Sequence, residues 1–525
     1  MAKIIKKYFW VFIVLFSIIR VLLILNYSPY LLSYAKYDDS LMFDIAKSIA
    51  SGHWLGVYNE YTLSKGFIYP LIVSLFTWLK MPYVIGYTLL YIFACYFLTT
   101  SISKIVTNKI YLLLMYVILL FNPISYAIET FLRFYRNGIN ISLIMIFFAL
   151  LIRLYTNKGD IKKSIIYSML TGFMLFVVYN MRQDAIWVIP ALLIILVSSL
   201  VYYIKNNKRF VFIPMIPIIL MVILSNISAY INYANYGIYT NNTFENSNFT
   251  IVRKQLISIE EDKFINRVSV SMKTLEKVAT LSPTFNTIYN EVINSKLVDQ
   301  KTNEIIDGYI TFSLIDAHMK VYPKSNAVET NSFWKKVSIE LNNAFDKNLL
   351  KKRFVIPISG LAPPRDEYYG DIINNYMKTV IFLYKYDDIK IDYACSTAEQ
   401  YRLDEFNKFT FGESKTVQEK TTYNNTKVSN IVLNAILQIY KLLAPIITLY
   451  GLLSYFVLVY KKEKNMYIPS IMFISMLLYI GGIAYIETSS VTKTISYFYL
   501  APLYPMLLFV CLFNSIVLIN KNKEK

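Results

Sequence analysis

Ten apolar runs, joined on one side by short Lys/Arg-rich loops, leave this chain few folds to choose from. They lie at about residues 8–30, 83–103, 110–126, 138–155, 164–180, 185–204, 210–230, 440–460, 466–486 and 495–519. Several approach or exceed the ~18 consecutive apolar residues that mark a membrane span. The 525 residues are 56% hydrophobic, above the range of roughly 45–50% for soluble domains. The expected fold class is an α-helical polytopic membrane protein of about ten transmembrane helices.

The loop charges give that expectation a direction. Cytoplasmic loops carry excess Lys and Arg, and the N-terminus is basic at Lys3, Lys6 and Lys7. Alternating from a cytoplasmic start puts every strongly basic short loop inside. These are Lys104/Lys109, Arg153/Lys158/Lys162/Lys163, Lys205/Lys208/Arg209, Lys461/Lys462/Lys464 and the terminal Lys521/Lys523/Lys525. Both termini are then cytoplasmic. The net charge of +19 is explained by these loops, with attraction to anionic head groups a compatible effect, and no nucleic acid is expected as a partner. The first run continues to about Leu32 without a small-residue cleavage site, so it reads as a retained span. Three cysteines, one of them alone in the large polar region, give neither a disulfide framework there nor zinc-ligand spacing.

Four segments fall outside: 31–82, 127–137, the loop at 180–184, and a polar stretch of about 200 residues. The expected organisation is an N-terminal membrane domain (1–230) with a catalytic first outer loop (31–82), an α-rich extracytoplasmic soluble domain (231–430) between spans seven and eight, and C-terminal membrane helices (431–525). Glu261–Ala279 and Ser332–Leu349 read as helices, Ala362–Asp366 as a loop, and 431–442 as an amphipathic lead into the next span. The apolar stretch Gly66–Leu79, with Pro70 near its start, reads as an interfacial or re-entrant helix. Residues 38–51 predict a short helix capped by Asp38 or Asp39 and stopped at Gly52. Leu41, Met42, Ile45, Ala46 and Ile49 share one face, and that face is expected to rest on the bilayer.

Ionisable side chains near lipid are costly to solvate and usually serve a function. Three outer loops supply both signs: Asp38, Asp39, His53 and Lys65; Glu129, Arg133 and Arg136; Arg182 and Asp184. A carboxylate among cations suits group transfer from a phosphate-linked donor. The carboxylate takes the proton of an attacking hydroxyl, and the cations stabilise the departing phosphate. Mutual repulsion of two adjacent carboxylates raises the pKa of one. The plainer readings are a helix cap for Asp38 or Asp39, interfacial snorkelling for the cations, and a structural Arg182–Asp184 pair. Arg20 reads as a snorkelling or helix-packing residue, His53 as an interfacial side chain, and His318 as partnerless.

The string Asp38-Asp39-Ser40-Leu41, Ala46–Gly52, Trp54-Leu55-Gly56, Tyr58-Asn59, Thr62-Leu63-Ser64-Lys65-Gly66 and Tyr69-Pro70 resembles the first outer loop of GT-C class glycosyltransferases. It is most similar to bacterial relatives of the protein O-mannosyltransferases and the lipid A aminoarabinose transferases. The resemblance implies a GT-C-like membrane fold and an inverting glycosyltransferase in a bacterial cytoplasmic (inner) membrane, with its active site on the outer face. It implies Asp38 or Asp39 as catalytic base. Lys65 matches a lysine that faces the donor phosphate, although this chain lacks the Pro-Pro pair that follows it in the aminoarabinose branch. Arg133, Arg136 and Arg182 are further donor-phosphate candidates. Glu129 matches a second acidic residue of the class, and Arg182-Gln183-Asp184 an Arg–acid pair. Glu129, Asp184, Tyr58, Asn59 and His53 are candidates for substrate binding or metal support. The strings Arg267–Ser271, Leu281–Phe285 and Ser332–Trp334 resemble an uncharacterised bacterial branch. The implied partners are a polyprenyl-phosphate sugar donor, an acceptor glycan, lipid or protein, and the bilayer. The sequence requires no cofactor, and a divalent metal is compatible because some members of the class use one. A lipid-linked sugar flippase or other transporter, a polysaccharide polymerase and a non-catalytic scaffold are the rivals. A transporter is expected to show broken spans and mid-membrane charges, whereas the charges here cluster on one face.

Overall fold

Long apolar runs become helices because a helix satisfies its own backbone where no water can. The computed structural model describes residues 7–353, 355, 362–417 and 426–523; the basic residues Lys3, Lys6 and Lys525 lie outside them. The N-terminal part contains α1 (Phe9–Leu22), α2 (Asp39–Ala50), α3 (Ile68–Trp78), α4 (Tyr83–Ser101) and α5 (Lys109–Leu120). It continues through α6 (Arg136–Thr156), α7 (Ile161–Met181), α8 (Ile189–Asn206) and α9 (Ile216–Tyr236). The polar stretch folds as α10 (Asn248–Ile257), α11 (Met272–Leu281), α12 (Pro283–Ile293), the hairpin β1–β2 (Val298–Asp299 and Glu304–Ile305), α13 (Asp307–Val321), α14 (Ala327–Asp346), α15 (Tyr369–Lys385) and α16 (Gln400–Thr410). The chain closes with α17 (Lys427–Tyr460), α18 (Tyr467–Ser489) and α19 (Leu503–Lys523).

Among the described residues, eight helices are long and apolar enough to cross a membrane: α4, α6, α7, α8, α9, α17, α18 and α19. The protein is α-helical and polytopic. Nearly all of α6 is buried, and it packs against α4, α7 and α8. By contrast α9 and α17 turn rows of apolar side chains outward, Val222 and Ile223 on one, Leu449 and Leu453 on the other.

The other two expected spans are shorter helices, 14 residues in α1 and 12 in α5. α1 ends in turns at 23–26. α5 ends because the Asn122 side chain accepts the Ile124 N–H and starts a new turn at Pro123. Arg20 ties the two helices together. Fully buried, it donates to Leu120 O and Ser125 Oγ at 2.8 Å and lies 3.6 Å over the Tyr126 ring. That is helix packing, not snorkelling.

Two local expectations change in extent. Of the stretch Glu261–Ala279 only the part from Met272 onward is helical, in a helix that runs to Leu281, because the Glu261 carboxylate is used to start that helix. It accepts Ser271 N–H at 2.9 Å, Ser271 Oγ at 2.7 Å and Thr274 Oγ1 at 2.8 Å. α14 begins earlier than Ser332, where Asn326 and Glu329 form a reciprocal capping box. Residues 431–442 lead into the next span without a break, as the first turns of α17. Ala362–Arg365 is irregular, as expected of a loop.

α2 forms where expected and stops at Gly52, whose φ of +82° is left-handed. Its apolar face does not rest on lipid. Met42, Ile45, Ala46 and Ile49 are buried and the helix packs on α3. The polar face is held by α16, where Arg402 binds Asp44 at 3.0 Å and Lys47 binds Glu405 at 2.9 Å.

Candidate functional site: an acid–base cluster where three loops meet

Two short backbone bonds bring the first two loops together. Tyr30 N–H donates to Leu132 O at 2.9 Å, and Phe134 N–H donates back to Tyr30 O at 3.0 Å. Two glycines let the backbones close. A Cβ on Gly66 would sit 1.7 Å from Asn180 O, and one on Gly138 would sit 1.8 Å from Thr130 O. Any side chain at Gly66 would push Lys65 away from the loop that carries Arg182.

The adjacent aspartates then face different surroundings. Asp39 is fully buried and gripped by Arg133, with Nε 3.0 Å from both carboxylate oxygens and Nη2 2.7 Å from Oδ1. Burial raises its carboxyl above the ordinary value, and the bonds from Arg133 oppose that rise. Repulsion from Asp38 adds to the rise but does not lead it.

Asp38 occupies the N-cap position of α2 but makes no capping bond. Its side chain turns to Lys65 Nζ and accepts the Tyr135 hydroxyl at 2.9 Å. It keeps 42% of its side-chain exposure, against 8% for Lys65. Burial acts to raise Asp38, but the adjacent Lys65 ammonium, together with Arg136 and the Tyr135 hydroxyl, outweighs it and holds the carboxyl below the usual range. For Lys65 burial wins and pulls the ammonium down to about 8, against the attraction of Asp38. Desolvation acts on both groups but prevails only at the lysine, and the more accessible Asp38 keeps its charge.

The third loop completes the cluster. Arg182, at the C-terminal end of α7, donates to Asp184 at 2.8 Å and to Asn137 Oδ1 at 2.5 Å. Asn137 in turn donates to Phe498 O at 2.9 Å, and the Phe498 ring stacks on Tyr135. Arg136 donates to Met181 O at 3.3 Å and, among the described residues, has no carboxylate partner. Its Nε is buried without a hydrogen bond. Four cations therefore face three carboxylates, and the surplus positive charge sits at Arg136 beside an accessible carboxylate. That combination suits an anion and a proton acceptor at one place.

The structure separates the other candidates from this cluster. His53 is exposed after α2, with its backbone bonded to Ser48. Asn59 shapes a turn, its Oδ1 accepting Tyr61 N–H at 2.9 Å. Tyr58 lines a small cavity with Glu60 and Trp334. Glu129 lies on the turn Ile128–Leu132, and among the described residues it shares no hydrogen bond or ion pair with the cluster. Each carboxylate of the cluster is turned to a different cation. They present no converging donor set for a divalent metal, and no group of metal ligands occurs among the described residues.

Two contributions were not read from sequence. Tyr135, whose hydroxyl joins Asp38 and Lys65 (3.3 Å to Nζ), is one aromatic residue among many in the chain. The second is the grip of α13 on the first loop. Asp316 takes Lys36 Nζ at 3.1 Å and the Tyr61 hydroxyl at 2.7 Å, together with the Tyr37 hydroxyl. His318, expected to be partnerless, is buried and paired through Nδ1 with the buried Glu60 carboxylate. The reason is tertiary, because 258 residues separate them.

No family model, curated protein or solved structure matches this chain.

Proposed function

We propose that the protein is a membrane glycosyltransferase moving a sugar from a polyprenyl-phosphate donor to an acceptor hydroxyl of a glycan, lipid or protein on the outer face of a bacterial cytoplasmic membrane. One observation carries the reading: a water-accessible, ionised carboxylate, Asp38, stands beside Lys65 and within electrostatic reach of Arg136, which has no carboxylate ion pair among the described residues, at the meeting of three loops.

In this reading Asp38 is the base. It accepts the proton of the acceptor hydroxyl while that oxygen bonds to the anomeric carbon. The bond from that carbon to the donor phosphate breaks, and its electron pair leaves on polyprenyl phosphate. Attack opposite the leaving group inverts the anomeric carbon. Lys65 and Arg136 take the phosphate charge, which is worth most where water is excluded. Drawing Lys65 toward the phosphate also relieves Asp38 of the partner that depresses its pKa, making it a better base as the donor binds. Asp39 is assigned to structure, since it has no exposure and both its oxygens are held by Arg133. Arg182, held by Asp184 and Asn137, is assigned to positioning.

The test is turnover of radiolabelled polyprenyl-phosphate sugars by purified protein in nanodiscs, wild type beside Asp38→Asn. Release of polyprenyl phosphate by wild type alone, with donor binding by both, supports the reading. Donor binding without turnover under any acceptor condition favours a flippase or scaffold. Extension of a repeating glycan identifies the polymerase among the rivals.

A further inference from the structure

Within the polar stretch, α15 carries three distinct faces rather than two. One face packs on protein: Thr379 and Leu383 are buried, Asn375 donates to Thr488 Oγ1 of α18 at 2.9 Å, and Tyr376 lies beside Gly481 of α18. A second face is polar and exposed, with Asp371, Asn374, Lys378 and Lys385. The third is exposed and apolar, with Tyr369, Ile373, Met377 and Ile381 at four-residue spacing, and Ile373 retains 67% of its surface. At about 100° per residue, Tyr369, Ile373 and Met377 share one arc, Ile381 borders the polar arc beside Asn374, and Thr379 and Leu383 fall on another side.

A helix in water has no use for an exposed apolar face beside an exposed polar one. The neighbours of α15 identify what covers it. The helix packs along α18 and touches α17 and α19, all three long and apolar enough to span a membrane. Where Tyr376 meets Gly481, the next turn of α18 exposes Leu477 and Leu478. Past the C-terminal end of α15, Asp387 O accepts Lys441 Nζ of α17, and Leu442 and Leu443 beyond it are exposed. α15 thus packs at its middle on a part of α18 that exposes Leu477 and Leu478, and the chain just past its C-terminal end meets α17 next to the exposed Leu442 and Leu443.

We propose that α15 lies in the bilayer interface, with Tyr369, Ile373, Met377 and Ile381 among acyl chains and Asn374, Lys378 and Lys385 at head-group level. The polar stretch is then not wholly soluble, because one of its helices is lipid-bound and backs α18. Such helices seat their apolar face roughly 5–10 Å into the boundary region. The inference rests on the membrane character of α17–α19 and is independent of the transferase reading.

The test is site-directed spin labelling of single cysteines at Ile373, Met377, Asn374 and Lys378 in full-length protein carrying Cys395→Ser, Cys95 and Cys511 being buried. Each protein is reconstituted in nanodiscs and kept if monodisperse, and all four sites are already exposed, so labelling removes no core packing. Collision rates with oxygen, which concentrates in acyl chains, and with a water-soluble nickel chelate are compared. The expected result is an oxygen-to-nickel ratio at least threefold higher at 373 and 377 than at 374 and 378. Equal nickel access at all four sites overturns the proposal. Protection of 373 and 377 from both reagents also overturns it, because a second copy or another protein is then the cover. Disulfide cross-linking of Ile373→Cys to its copy identifies the former.

Discussion

The first loop holds two acid–base pairs that resemble each other in composition and differ in surroundings. At one end Asp38 meets Lys65, and at the other Glu60 meets His318. In both a carboxylate faces a nitrogen base on a buried or half-buried background. Glu60 and His318 are sealed, 6% and 1% exposed, with Phe333 and Trp334 packed against the imidazole. Burial raises the Glu60 carboxyl, and His318 opposes that rise. Asp38 keeps water access and stays ionised, with a surplus cation nearby. A sealed pair holds elements together, and an open pair with unbalanced charge can exchange partners with a ligand. Exposure, not residue type, separates the two.

The strongest way to break that contrast is Asp38→Asn. Turnover is expected to fall about 10²–10⁴-fold, the range for losing a general base, with thermal unfolding in detergent nearly unchanged. A comparable loss of turnover from Glu60→Gln would erase the distinction between the ends of the loop. Asp39→Asn tests the neighbour. It leaves Arg133 without its buried counter-charge, so destabilisation of about 3 kcal/mol is expected in thermal unfolding, with residual turnover in the folded fraction. Full turnover loss in a stably folded Asp39→Asn protein would shift the base to Asp39.

His318→Gln is expected to destabilise by about 1–3 kcal/mol, because the Glu60 carboxylate loses its buried partner. Limited proteolysis should show the first loop or the α13 region cut faster, while kcat stays within a few-fold. Tyr135→Phe removes the hydroxyl joining Asp38 and Lys65 and should cost about 1 kcal/mol, read as roughly fivefold in turnover.

The pH dependence sharpens the open pair alone. Burial leaves Lys65 titrating at about 8, so its charge is present below that pH and lost above it. Donor affinity should fall as pH rises through 8, and Lys65→Arg should remove this upper limb. Stability moves the other way for this group. With a folded pKa below the unfolded value of about 10.4, ionised Lys65 costs folding free energy below pH 8, and the cost is relieved between the two values. Binding that weakens alongside a general loss of fold above pH 8 would contradict the assignment.

Periodicity and charge carried much of the architecture. Eight long apolar runs read as spanning helices do form helices of that length, and α2 and α3 appear where the residue pattern put them. Apolar content is a property of the local chain, and a helix of sufficient length satisfies its own backbone without help from elsewhere. The early end of α5 depended on a side-chain capping bond at Asn122, a contest that composition does not resolve.

The candidate site divides the same way. Residue types and their shared loops were enough to nominate Asp38, Asp39, Lys65, Arg133, Arg136 and Arg182, because ionisable groups beside apolar runs stand out from the sequence. Tertiary structure alone decided which carboxylate is open, which is locked by Arg133, that Tyr135 bridges the pair, and that Glu60 reaches His318. Burial and partner choice depend on chains meeting across tens to hundreds of residues. A shift of a few ångströms there separates a solvated charge from a sealed one, and so a reactive group from a structural one.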